Sequence, residues 1–205
     1  MKTNKQLIES LIGRDVLQKS IIINAFEKID RANFVLPNCD GKIYLDEPLL
    51  IGYNQTISQP RTVAIMLELL DPQLGEKILD VGSGSGWTTA LLAYIVGKSG
   101  EVVGMERIPE LVELGSKNLR KYNMAWASIS QAKGVLGHSE KAPFDKILVS
   151  AVAEKLPEEL IDQLKIGGRL VMPIKKSICV FDRLPEMHVR KMEFPGFVFV
   201  PLITD

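Results

Sequence analysis

Gly82-Ser83-Gly84-Ser85-Gly86 separates a strand-like run, Lys77-Ile78-Leu79-Asp80-Val81, from a helix-like run, Thr88-Thr89-Ala90-Leu91-Leu92-Ala93. Glycine tolerates positive φ and lets a ligand approach the main chain closely. A helix starting just beyond presents unpaired N–H groups and the positive end of its dipole to the same spot. Such a junction suits a nucleotide-containing cofactor. Spacing narrows the choice: a dinucleotide fingerprint is G-x-G-x-x-G, whereas Gly82, Gly84 and Gly86 fall on every second residue behind Asp80. A phosphate loop ends in Gly-Lys-Ser/Thr, and here Trp87 follows Gly86. Glu106 ends the next strand-like run, Glu101-Val102-Val103-Gly104-Met105-Glu106, where a ribose-binding carboxylate belongs. A plain glycine-rich turn beside a surface glutamate is the competing reading; two features in register weigh against it.

The elements that must position these groups alternate. Strands are expected at 77–81, 101–106, 128–131, 146–151 and 169–174, with helices near 87–97, 109–122 and 157–164. That order predicts βαβ units and a doubly wound, mainly parallel sheet. Helices at 4–11, 17–29 and 61–70 precede it, around a stretch from 32 to 60 too rich in Pro and Gly for long helices. Runs at 178–183, 189–194 and 197–202 look like strands without intervening helices, so an antiparallel edge should close the sheet. We expect one domain over 1–205: N-terminal helices and a substrate loop to 60, a cofactor-binding core over 61–174, and edge strands over 175–205. Ligands of open α/β sheets bind beyond the carboxyl ends of the strands. Lys133-Gly134 and Ser150-Ala151 should lie there with the glycine turn, covered by the hydroxyl- and amide-rich segment 51–60.

Composition excludes several classes. The 25 basic and 25 acidic residues balance, which gives no electrostatic case for nucleic acid or a membrane surface. Cys39 and Cys179 are too few for a disulfide framework or zinc site. No signal-peptide pattern or long apolar span stands out, so a cytoplasmic protein is expected, as a monomer. His138 and His188 have no acid–base partner in a recognisable motif, and Trp87 reads first as packing at a helix start.

The Asp-x-Gly-x-Gly-x-Gly arrangement resembles the first motif of S-adenosylmethionine-dependent methyltransferases with a Rossmann-like, class I sheet. Further segments sharpen the likeness: Ile29-Asp30-Arg31-Ala32-Asn33-Phe34, Asp46-Glu47-Pro48-Leu49, Gln55-Thr56-Ile57-Ser58-Gln59-Pro60, Pro143-Phe144-Asp145-Lys146-Ile147, Gly167-Gly168-Arg169-Leu170-Val171-Met172-Pro173 and Phe199-Val200-Pro201-Leu202. With these the chain resembles the protein-L-isoaspartate (D-aspartate) O-methyltransferases from about Leu7 to Leu202. The resemblance implies protein repair: methyl transfer from S-adenosylmethionine to the free α-carboxylate of isoaspartyl residues in damaged peptides and proteins, followed by collapse of the ester to a succinimide. A carboxylic acid with pKa near ~4 is already ionised at neutral pH, so such chemistry needs alignment rather than a general base or a metal.

The resemblance also implies residue roles. Ser58 orients the acceptor carboxylate as the catalytic residue, with Thr56, Ile57 and the backbone of Val200, Pro201 and Leu202 holding the substrate. Asp80, Gly82, Ser83, Gly84, Ser85, Gly86, Glu106, Arg107, Lys133 and Gly134 fall at cofactor positions, with Glu106 taking both ribose hydroxyls. Ala132-Lys133-Gly134 departs from the family's Gly-Asp-Gly, which puts adenine contact at that position in question. Asn54 stands where the family tends to have glycine, and asparagine tolerates left-handed backbone. A Rossmann-like methyltransferase with another acceptor, or a member that binds without turnover, remain the alternatives.

Overall fold

The computed structural model describes residues 1–37, 39 and 41–203. The helices are α1 (Asn4–Ile12), α2 (Ser20–Lys28), α3 (Pro60–Leu70), α4 (Trp87–Val96), α5 (Pro109–Arg120) and α6 (Glu158–Asp162). The strands are β1 (Leu49–Gly52), β2 (Gln55–Ile57), β3 (Lys77–Val81), β4 (Glu101–Glu106), β5 (Ala127–Gln131), β6 (Phe144–Val149), β7 (Leu164–Ile174), β8 (Ser177–Arg183) and β9 (Val189–Pro195). β1 and β2 form a separate hairpin, and the other seven make one sheet in the order β5-β4-β3-β6-β7-β8-β9. β5 to β7 are parallel neighbours across β4, β3 and β6, while β8 and β9 run antiparallel. The strand order reverses between β3 and β6, which opens a crevice at their carboxyl ends.

Apolar runs explain the layers. α4 is buried nearly all round, which its sequence WTTALLAYIV allows, and packs with α2, α3 and α5 on one face of the sheet. The opposite face is a smaller cluster built on Leu79, Val103, Phe144, Ile147, Leu160 and Met172. The antiparallel edge is tied to the core through Asp182, which accepts from Arg169 and Arg190, each at 2.7 Å; Arg169 also donates to the Leu69 carbonyl at 2.8 Å.

The structure departs from sequence expectation in three places. α2 begins at Ser20 rather than Leu17, because the N–H groups of Gln18 and Lys19 donate to Glu68 on α3 and hold that stretch extended. The helix expected over 157–164 shrinks to Glu158–Asp162, since Gln163 gives its carbonyl to the Phe144 N–H and the chain enters β7 at once. The segment expected as a strand over 197–202 is an extended strap. Gly196, at φ +101°, turns the chain off β9, and only Pro201, which lacks an N–H, makes a bridge, to Val152.

Two glycines let α5 press against the glycine turn. A Cβ on Gly115 would lie 2.9 Å from the Gly84 carbonyl oxygen, and one on Gly86 would lie 3.0 Å from the Gly115 carbonyl. Gly115→Ala must therefore push the helix off the turn. It should lower stability by about 1–3 kcal/mol, the usual penalty of overpacking, as read from urea unfolding.

Candidate active site

β3 ends in the buried Asp80, and its side chain decides how the chain leaves the sheet. Oδ2 accepts from the Thr88 and Thr89 hydroxyls at 2.8 and 2.6 Å, fastening the strand end to the first turn of α4. The intervening turn is held from β4: Gly82 and Ser83 both donate their N–H to the Met105 carbonyl. Gly82, Gly84 and Gly86 all have positive φ, at +78°, +51° and +87°. Asn118 of α5 donates to the Ser85 carbonyl at 3.1 Å. The turn is thus clamped on three sides.

Glu106, 8% exposed, completes this wall. Its Oε2 accepts from the Gly84 N–H and its Oε1 from the Ile108 N–H, both at 3.0 Å. Each oxygen keeps a second lone-pair direction, so the carboxylate is fixed in place yet able to accept from a diol.

Opposite stands a wall from distant parts of the chain. The β1–β2 hairpin turns at Tyr53 and Asn54, both left-handed, and delivers Thr56, Ile57 and Ser58 to the cavity. The strap brings Val200, Pro201 and Leu202, anchored where the Val152 N–H donates to the Val200 carbonyl and the Leu202 N–H to the Val152 carbonyl, both at 2.8 Å. Between the walls lies a cavity of about 410 Å³, within the range of small-molecule sites. Gly82, Ser83, Gly84, Ser85, Glu106, Arg107 and Gly134 line it, as do Ser150 and Ala151.

Three residues expected at the cofactor do not line the cavity. Asp80 sits behind the turn, occupied with the two threonines, while its Oδ1 is buried without a partner. Gly86 lies against α5, whose Gly115 carbonyl a Cβ there would meet at 3.0 Å. Lys133 is exposed; its neighbours Ala132 and Gly134 face the cavity instead. Trp87 both packs and lines the cavity: its Nε1 donates to the Ile29 carbonyl and its ring meets Phe26 edge-on at 5.5 Å.

Arg31 is the residue whose importance sequence reasoning passed over. It is fully buried beneath the hairpin wall. Nη1 donates to the carbonyls of Ile43 and Leu45, and Nη2 to those of Glu47 and Ser58, the last at 3.2 Å. Its guanidinium also lies 5.5 Å from the centre of the Trp87 ring. An arginine set among Ile29, Ala32 and Phe34 was the available signal.

The residues present fit a nucleoside-bearing cofactor on two observations. A Cβ on Gly82 would meet nothing nearer than 3.9 Å on its cavity side, and Ser83 Oγ, on a cavity-lining residue, is buried without a partner. An open parallel sheet with a glycine turn and acidic strand end at its switch point defines the Rossmann-like methyltransferase class. Within that class, residues 2–205 match the model of the protein-L-isoaspartate(D-aspartate) O-methyltransferases, and the chain belongs to that family. A protein-L-isoaspartate O-methyltransferase of Methanopyrus kandleri is 37% identical over 209 residues, covering 100% of this chain and 92% of the relative. One from Archaeoglobus fulgidus is 44% identical over 184 residues, covering 88% and 84% respectively. A solved structure from Plasmodium falciparum, described as a protein-L-isoaspartate O-methyltransferase in complex with S-adenosyl-L-homocysteine, superposes with a TM-score of 0.87 at 26% identity over 100% of both chains. Among the described residues, no helix is long and apolar enough to cross a membrane.

Burial, the largest influence, pushes the Asp80 carboxyl up to about 6 from 3.8; the hydroxyls of Thr89 and Thr88 pull it down and Glu106 adds a smaller upward push. A folded value above the unfolded one means that Asp80 contributes fully below pH ~4 and that this contribution is lost as pH rises through about 6. Asp80→Asn stays neutral throughout. Its stability relative to the parent protein should improve by up to ~3 kcal/mol between about pH 4 and pH 7, followed by urea unfolding of the unliganded proteins.

Proposed function

We propose that this chain methylates the free α-carboxylate of L-isoaspartyl residues in damaged proteins, as a protein-repair enzyme. Membership of the family carries this reading, and the cavity between the Glu106 wall and the Ser58 wall supports it. S-adenosylmethionine, when bound, supplies an activated methyl group on a sulfonium. The chain's task is then to hold and orient. Glu106 receives the ribose hydroxyls while its own backbone donors keep it still. The glycine turn, with Ser83 and Ser85, receives the rest of the cofactor, and Arg107 and Gly134 border it. Asp80 acts from behind, by shaping the turn, and Lys133 contributes no adenine contact through its side chain.

Ser58 orients the acceptor carboxylate with its hydroxyl, assisted by Thr56 and Ile57. The strap at 200–202 offers backbone to the substrate peptide. Alignment of an oxygen nucleophile with a methyl carbon is an orientation effect, so no proton has to be moved by a side chain. One methyltransferase domain over 1–205 carries both walls, and the reading has it work as a cytoplasmic monomer on isoaspartyl-containing proteins, without nucleic acid or membrane.

Two substitutions separate the walls. Glu106→Ala should weaken binding of S-adenosylmethionine and S-adenosylhomocysteine by about 1.5–3 kcal/mol in calorimetry, the worth of hydrogen bonds to a charged group. Ser58→Ala should leave that affinity nearly intact and lower kcat/KM for an isoaspartyl peptide by roughly ten- to a hundred-fold. Undiminished turnover of Ser58→Ala would falsify the assignment of Ser58. The normal aspartyl twin of the peptide should not be methylated by either protein.

A further inference from the structure

Arg31 is a buried cation whose partners are four backbone carbonyls. Among the described residues no carboxylate hydrogen-bonds to it or pairs with it. Burial draws the guanidinium down to about 10, which leaves it charged at neutral pH; Asp46, Cys39 and Glu47 favour the charge from farther away. Asp46, the foremost of these, is otherwise engaged: it accepts from the Arg61 N–H at 2.9 Å and pairs with Arg14 at 3.6 Å. Taking a charge out of water is costly, and Asp46 and Glu47 compensate this one only from a distance. Neutral dipoles and the Trp87 face offset only part of that cost. Two of its neighbours, Ser58 through its carbonyl and Trp87 through its ring, line the cavity. The positive charge therefore lies one residue's thickness behind the wall at which the acceptor is proposed to bind.

We propose that Arg31 is a positioning residue for the methyl acceptor, its buried charge drawing an anionic carboxylate to the Ser58 wall while its fork of hydrogen bonds fixes that wall. The inference rests on the reading of Ser58 as the acceptor site. It has a definite kinetic sign. Methyl transfer to a carboxylate removes the negative charge, so a nearby cation stabilises the bound acceptor more than the transition state. Loss of the charge should raise KM for the peptide and leave kcat unchanged or slightly higher. A merely structural arginine would instead lower kcat and weaken cofactor binding together.

The experiment compares an isoaspartyl peptide with the same peptide carrying a neutral α-carboxamide, both titrated into protein saturated with S-adenosylhomocysteine. The parent protein should prefer the carboxylate by about ten-fold or more, since Coulomb attraction at low effective dielectric reaches across one residue. Arg31→Lys, which keeps the charge and loses the fork, should retain most of that preference. Arg31→Gln should lose most of it, with peptide KM raised about ten-fold, kcat held, and S-adenosylhomocysteine affinity within about two-fold. Equal binding of both peptides by the parent protein, equal losses in the Lys and Gln variants, or a fall in kcat at constant KM each overturns the proposal. Should Arg31→Gln fail to fold, Ser58→Ala decides: a carboxylate preference that survives loss of the hydroxyl belongs to the buried charge, and one abolished with it overturns the proposal. Methylation of the isoaspartyl peptide by the parent protein is run alongside. Its absence counts against the activity reading, whereas turnover without carboxylate preference counts against Arg31 alone.

Discussion

A carboxylate buried under the glycine turn is the constraint from which the rest of the molecule follows. At the end of β3, Asp80 Oδ2 takes its two hydrogen bonds from hydroxyls on the first turn of α4. That fastening sets the distance between strand and helix, and the turn between them has to be made of residues that accept positive φ. α5 then closes on the turn without side chains at Gly86 and Gly115, and Glu106 is drawn in to accept from Gly84. Desolvating an acid costs several kcal/mol against about 1–3 for each charge-assisted hydrogen bond, so this arrangement is held by the surrounding packing rather than by its own bonds.

The charges around the cavity are laid out as the proposed reaction needs them. Asp80 and Glu106 lie on the side where a sulfonium-bearing cofactor would sit, and Arg31 lies behind the wall proposed for a carboxylate. The reactants of such a transfer carry opposite charges, which vanish in the products. A cavity polarised in this way would favour the charged reacting pair and have less hold on a neutral ester. The balanced charge of the whole chain hides this polarity completely.

Much of the fold was legible because its signals are local. The alternation of apolar runs gave every strand of the parallel core to within a few residues, apart from the early start of β7, and Asn54 is left-handed, a geometry its residue type tolerates. What failed was set by tertiary contact: Glu68 holding 17–19 out of helix, Gln163 drawing the chain into β7, and a proline-bearing strap that bridges Val152 instead of joining the sheet. That Glu106 and the glycine turn border one cavity was legible for the same reason, since they are close in sequence and register. Side-chain direction was not. Nothing in the motif says that Asp80 bonds to threonines of α4 or that Lys133 is exposed, and nothing local marks Arg31 as buried.

The two walls differ in how far the chain must travel to make them. The Glu106 wall comes from neighbouring βαβ units whose contacts close early and at short separation. The opposing wall needs the hairpin near one end of the domain to meet a strap near the other, held there by a pair of backbone hydrogen bonds to Val152. Loop-closure entropy is therefore somewhat larger for that second wall, since it grows slowly with separation in sequence. The two sides of one cavity are thus set by different ranges of the chain, one by near neighbours in sequence and the other by segments far apart in it.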